Sequence, residues 1–126
     1  MTSSFVILIV DDSNSLRDLI RKTLESAGFD NLLEAVDGKD ALDVLMEHKV
    51  DLIISDINMP KVNGIELLKA ILNHSALKRI PFIVLTSKTE DETFKKVMEI
   101  GAADFIKKPF TKEDLVMKIK SIIQWL

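Results

Sequence analysis

Apolar residues along this chain fall into two kinds of grouping: short unbroken runs, and longer stretches in which they recur every three or four positions. The runs read as strands covered on both faces, the spaced stretches as helices with one covered side. Phe5 to Val10 is a central strand, ended by Asp11-Asp12-Ser13. A helix follows on Leu16, Leu19, Ile20, Thr23, Leu24 and Ala27, with Ser13 or Asn14 as its cap and Gly28 as its stop. Asn31 to Val36 is a weaker strand interrupted by Glu34, which suits a sheet edge, and Asp37-Gly38 turns it into a helix carrying Ala41, Leu42, Leu45 and Met46. The next strand runs from Leu52 to Asp56. Beyond Pro60 and a loop ending at Gly64, a third helix is marked by Ile65, Leu68, Ile71 and Leu72.

Pro81 opens a further strand, Phe82 to Thr86. Thr89, with Glu92 as its capping-box partner, starts a helix carrying Phe94, Val97 and Met98, which Gly101 ends. Ala102 to Lys107 is the last strand, and Lys108-Pro109-Phe110 a turn. Thr111 and Asp114 open a final helix whose Leu115, Ile119, Ile122, Ile123 and Leu126 face inward. Strands that alternate with helices through short loops predict an α/β fold, because parallel neighbours need crossovers and crossovers cover faces. With the weak second strand and the shorter fifth strand at the edges, the expected five-stranded parallel sheet has the order 2-1-3-4-5 and helices on both faces, a flavodoxin-like arrangement. Its ligand crevice lies at the carboxyl ends of strands 1 and 3.

Composition bounds the function. The 126 residues make a single domain, 1–126, and 47% hydrophobic with 29% charged is ordinary for a globular chain. A net charge of −3 with a pI near 5.4 gives no global pull toward nucleic acid or anionic membrane. The absence of cysteine excludes disulfides and thiolate metal sites. Phe5 to Val10 is too short to span a bilayer and lacks the basic flank of a signal peptide, so a cytoplasmic location is expected. His48 and His74 have no metal-ligand company, and Trp125 reads as a core or edge contact.

The candidate chemistry sits on strand ends. Asp11 and Asp12 follow strand 1 and Asp56 ends strand 3, so three carboxylates converge on one crevice. Held there ionised they repel one another, and a cation or a raised pKa has to compensate. Hard oxygen donors suit Mg²⁺, which keeps room for phosphate oxygens. Thr86 ends strand 4 and Lys108 follows strand 5, which brings a hydroxyl and an ammonium to the same crevice. Around Asp56 these groups compose an anion site with a nucleophile, suited to forming an aspartyl phosphate. Each residue alone has a plainer reading: Asp56 capping a turn, Asp11-Asp12 a solvated turn, Lys108 on the surface, Thr86 packing. Pro109 alone reads as a strand terminator, with a cis bond before it as one way of aiming Lys108. Their joint placement on the correct strand ends carries the functional reading.

Asp11-Asp12, Asp56-Ile-Asn-Met-Pro60, Gly64, Thr86-Ser87, Gly101-Ala102, Phe105 and Lys108-Pro109-Phe110 together resemble the receiver domains of bacterial two-component response regulators. The single-domain length resembles their CheY-like subgroup. That resemblance implies Asp56 as phosphoacceptor, Asp12, Asp56 and the Asn58 backbone carbonyl as Mg²⁺ ligands, and Asp11 acting through a metal-bound water. It also implies that Thr86 and Lys108 contact the phosphoryl oxygens. Phe105 matches an aromatic switch position where the family more often has tyrosine. A histidine kinase is then the expected phosphodonor. The expected output is a protein-binding surface on helix 4, strand 5 and helix 5, with chemotaxis as a candidate pathway and with no enzymatic activity beyond self-phosphorylation and slow dephosphorylation. Two residues past Asp56 and Thr86 stand Asn58 and Lys88, neither a general base, and Lys88 is expected to lengthen the lifetime of the phosphoryl group by covering the water's path.

Three rivals compete. A phosphatase of the haloacid dehalogenase type needs a second carboxylate two residues after its nucleophile, where this chain has Asn58. A flavodoxin-like carrier needs hydroxyls and amides after strand 1, where Asp11-Asp12 repel a flavin phosphate. A receiver cut from a longer DNA-binding regulator is the third, and it shares every site residue with the leading reading.

Overall fold

The computed structural model describes residues 5–57, 63–87 and 92–124. Its strands are β1 (Val6–Val10), β2 (Asn31–Ala35), β3 (Leu52–Asp56), β4 (Phe82–Thr86) and β5 (Asp104–Lys107). They alternate with α1 (Asn14–Ser26), α2 (Gly38–Glu47), α3 (Gly64–Leu72), α4 (Glu92–Ile100) and α5 (Lys112–Ile123). All pairings are parallel and the order is β2-β1-β3-β4-β5, so the expected topology holds. The three inner strands are the unbroken apolar runs. β2 and β5, each with exposed or half-buried positions, form the edges.

Alternation along each strand divides the core between the two faces of the sheet. Ile7, Ile9, Ile54, Ile83 and Leu85 pack with Ile20 and Leu24 of α1 and Leu115 and Ile119 of α5. Leu8, Val10, Ile53 and Val84 pack on the opposite face with Ala41 and Leu45 of α2, Leu67, Leu68 and Ile71 of α3, and Val97 of α4.

The helix signals resolve into specific caps. Ser13 caps α1 through its hydroxyl, which accepts from the Leu16 N–H. Asp37 caps α2, and both Asn63–Glu66 at α3 and Thr111–Asp114 at α5 form reciprocal capping boxes. Gly28 takes φ 98° just past the end of α1, a conformation that a Cβ disfavours. The peptide bond between Lys108 and Pro109 is cis.

Several expectations need correction. Leu19 and Met46 are exposed, at 53% and 62%, although both fitted a helical spacing. Each stands one position from a buried residue, Ile20 or Leu45, and one residue is about 100° of helical arc, enough to leave the covered face. Leu67, absent from the expected α3 stripe, is fully buried, so both Leu67 and Leu68 face the sheet. The fifth strand begins at Asp104 rather than Ala102, and β1 and β2 each lose one expected end residue. Ile122 and Ile123 are only partly covered. The capping role expected of Thr89, and the positions of Trp125 and Leu126, lie outside the described residues.

Candidate functional site

Parallel strands all point their carboxyl ends to one edge, and here that edge gathers the charged residues of the sequence reading. β1 delivers Asp11 and Asp12, β3 delivers Asp56, β4 delivers Thr86, and the turn after β5 delivers Lys108. Carboxylate oxygens of Asp11, Asp12 and Asp56 lie within 4.8 Å of one another. Lys108 Nζ stands 3.5 Å from Asp56 Oδ1 and 3.8 Å from Asp11 Oδ2. The Lys108 N–H donates to the Thr86 carbonyl at 2.7 Å, which ties the lysine's backbone to the end of β4. Thr86 itself is buried.

Asp11 is the buried member, 1% exposed, while Asp12 is open to solvent and Asp56 is intermediate. One Asp11 oxygen, Oδ1, accepts from the Ser13 N–H at 2.8 Å. The other, Oδ2, is buried with no hydrogen-bond partner among the described residues. Such an oxygen is costly unless a cation or donor reaches it. Burial pushes the Asp11 carboxyl above the usual carboxylate range, helped by the negative charges of Asp56 and Asp12, with the Ser13 N–H and Lys108 acting against them. Three clustered carboxylates, one with an oxygen left over, form a hard-oxygen donor set that fits a divalent cation such as Mg²⁺.

The Asp56 carboxylate is oriented by its own turn, since Oδ1 accepts from the Ile57 N–H at 2.8 Å. Behind it lies Gly64, the first residue of α3. A Cβ there would come within 2.8 Å of the Asp56 carbonyl oxygen and the Ile57 Cα, and the Gly64 N–H donates to the Ile57 carbonyl at 2.8 Å. Gly64 therefore allows α3 to start directly against the end of β3. The sequence pattern singled out Gly64 without this reason.

Sequence reasoning missed a second group. Arg17 is a charged residue on the covered side of α1, and its guanidinium reaches the Asp11 carbonyl and Glu34 of β2. Burial pushes the Glu34 carboxyl up, but hydrogen bonds and charge from Arg21 and Arg17 outweigh it and hold the group below the usual range. The signal available was an arginine at helical spacing from Ile20 and Leu24, paired with an acid in the facing edge strand.

Phe105 lies on β5 with its ring edge-on to Phe94 of α4, centroids 5.0 Å apart, and with Lys118 Nζ of α5 over it at 5.2 Å. It thus joins the three elements expected to form the output surface. Asn58 and Lys88 lie outside the described residues.

Residues 7–120 match the response regulator receiver domain family. Over all 126 residues the chain is 35% identical to chemotaxis protein CheY-3 of Vibrio cholerae, of which it covers 97%. It is 38% identical over 118 residues to the phosphate regulon transcriptional regulatory protein PhoB of Pseudomonas aeruginosa, covering 94% of this chain and 51% of PhoB. Among solved structures, CheY4 of Vibrio cholerae superimposes with a TM-score of 0.87 at 36% identity, over 94% of this chain and 98% of that one. The receiver domain of a signal transduction histidine kinase from Syntrophus aciditrophicus gives 0.90 at 31% identity, over 98% and 92%. Whole-chain similarity and the same doubly wound sheet lead to one conclusion: this chain belongs to the response regulator receiver domains of two-component signalling.

Proposed function

We propose that this receiver is a phosphorylation-activated switch whose phosphoacceptor is Asp56. The observation that carries the reading is the gathering of the Asp11, Asp12 and Asp56 carboxylates with the Lys108 ammonium at one end of the sheet. In the reaction an Asp56 carboxylate oxygen attacks phosphorus and forms a P–O bond. The P–N bond to the phosphohistidine of a histidine kinase breaks, and the imidazole leaves with the electron pair. Asp11, Asp12, Asp56 and the Asn58 carbonyl would hold Mg²⁺, which supplies charge compensation for the phosphoryl oxygens. Lys108 adds a second positive charge on the other side, and Thr86, at the end of β4, provides a hydroxyl for the product.

The chain is a phosphoacceptor and not an enzyme acting on other molecules; it catalyses only its own phosphotransfer and slow dephosphorylation. Output passes through α4, β5 and α5 to a protein target, and the setting is cytoplasmic. Similarity to CheY-3 over the full length favours chemotaxis. Similarity to half of PhoB favours a second reading, in which the same receiver regulates an attached DNA-binding domain.

The test is incubation with Mg²⁺ and acetyl phosphate, followed by mass spectrometry of the intact protein. Wild type is expected to gain one phosphoryl group, with loss of the adduct in Asp56→Asn and on chelation. An adduct that survives in Asp56→Asn, or that forms equally with chelator present, contradicts the reading.

A further inference from the structure

We infer that Arg17 is a positioning residue for the cation site, setting the place of the Asp11–Asp12 peptide by gripping its carbonyl oxygen; this rests on the Mg²⁺ reading above. The ladder between β1 and its neighbours ends at Val10, so the Asp11 carbonyl lies beyond the sheet and needs another donor. Arg17 Nη1 supplies it, at 2.6 Å. The same guanidinium donates through Nη2 to the Asn14 side chain and through Nε to Glu34 Oε1 at 3.0 Å. Glu34 is fixed in turn by Arg21, whose Nε donates to Glu34 Oε2 at 2.7 Å and whose Nη2 donates to the Leu32 carbonyl at 2.9 Å.

Arginine is 8% exposed here, on a helix whose other buried positions are Ile20 and Leu24. Burying a guanidinium is expensive, and packing alone would be met by an apolar side chain of similar size. What only arginine supplies is a rigid planar fork that binds three acceptors at fixed angles. One tine holds the peptide from which the Asp12 side chain departs; another is anchored to the edge strand. The open, solvent-exposed carboxylate of Asp12 thereby inherits its position from α1 and β2.

This role can be told from charge by its sign. A positive group beside a cation site opposes Mg²⁺ on Coulomb grounds, so loss of the charge would tighten binding. Loss of positioning weakens it, as does removal of groups that orient metal ligands, roughly tenfold or more.

The experiment measures Mg²⁺ dissociation constants by calorimetry for wild type, Arg17→Lys, Arg17→Met, Glu34→Gln and Asp12→Asn, with folding checked by circular dichroism. Arg17→Lys and Arg17→Met are both expected to bind roughly tenfold more weakly, and Glu34→Gln to show a smaller loss. Wild-type affinity in Arg17→Lys, or tighter binding in Arg17→Met, overturns the inference. If Arg17→Met does not fold, Arg17→Lys, which keeps the charge and most of the stem, decides alone. Wild-type protein that fails to bind Mg²⁺, or that binds equally in Asp12→Asn, defeats the Mg²⁺ reading itself and takes this inference with it.

Discussion

Lys108 holds its ammonium 3.5 Å from Asp56 Oδ1, and a further contact of 3.8 Å to Asp11 Oδ2 makes it a counter-ion to two carboxylates at once. Both distances exceed a good N–H···O hydrogen bond, so the lysine competes with a cation for charge without being locked to either acid. Lys108→Ala is therefore expected to bind Mg²⁺ as tightly as wild type or more tightly. Phosphorylation-dependent NMR shifts outside the pocket should nevertheless be lost. A titration giving markedly weaker Mg²⁺ binding in the mutant would remove Lys108 from this role.

Asp11 makes stability depend on pH in a definite direction. Its carboxyl is raised in the folded protein, so the stability it contributes is present below its unfolded pKa and is lost as pH rises through the folded value. Metal-free Asp11→Asn should accordingly be more stable than wild type at neutral pH, with the gap closing as pH falls into the carboxylate range. Denaturant melts at several pH values in the presence of chelator measure this. An Asp11→Asn protein less stable than wild type at neutral pH would mean that the carboxylate is held by favourable partners.

Gly64 supports the Asp56 end of β3 through close backbone approach. In Gly64→Ala the new methyl would stand 2.8 Å from the Asp56 carbonyl and the Ile57 Cα, both main-chain atoms with little freedom to retreat. A loss of about 1–3 kcal/mol is expected, the usual range for overpacking. Labelling of Asp56 should fall as well, because the displaced atoms carry the proposed phosphoacceptor. A thermal melt within error of wild type would contradict the crowding.

The fold was legible because Ile7–Val10, Leu52–Ile54 and Phe82–Leu85 are apolar without interruption, and only an inner parallel strand buries both faces. The acidic crevice was legible because parallel strands put Asp11, Asp12 and Asp56 at one edge whatever the side-chain details. Less legible were contacts that depend on arc and reach. Leu19 and Met46 matched the helical period yet face solvent, since spacing alone does not fix which side of a stripe is covered. Glu34 read as an interruption of an edge strand, whereas it anchors Arg17 and Arg21. Arg17 was passed over, because arginine on a helix usually faces solvent.

Phe105 is the proposed link between the site and the surface proposed for output. Its ring meets Phe94 edge-on and lies beneath Lys118, whose ammonium is also 3.2 Å from Asp104. Movement of Thr86 toward a phosphoryl group would open space for this ring, turning a local charge event into a discrete rearrangement. NMR of the phosphorylated protein should show shifts at Phe94, Phe105 and Lys118 as well as in the pocket. Shifts confined to the pocket would direct the search for output to another face.

Reductive trapping tests the central claim most directly. An acyl phosphate on a carboxyl carbon is reduced by borohydride to a primary alcohol with loss of phosphate, so a phosphorylated aspartate becomes homoserine. Protein treated with Mg²⁺ and acetyl phosphate, then reduced and sequenced by tandem mass spectrometry, is expected to carry homoserine at position 56 and at no other aspartate. Homoserine at position 11 or 12, or none at all from protein that has gained a phosphoryl group, would show that Asp56 is not the nucleophile.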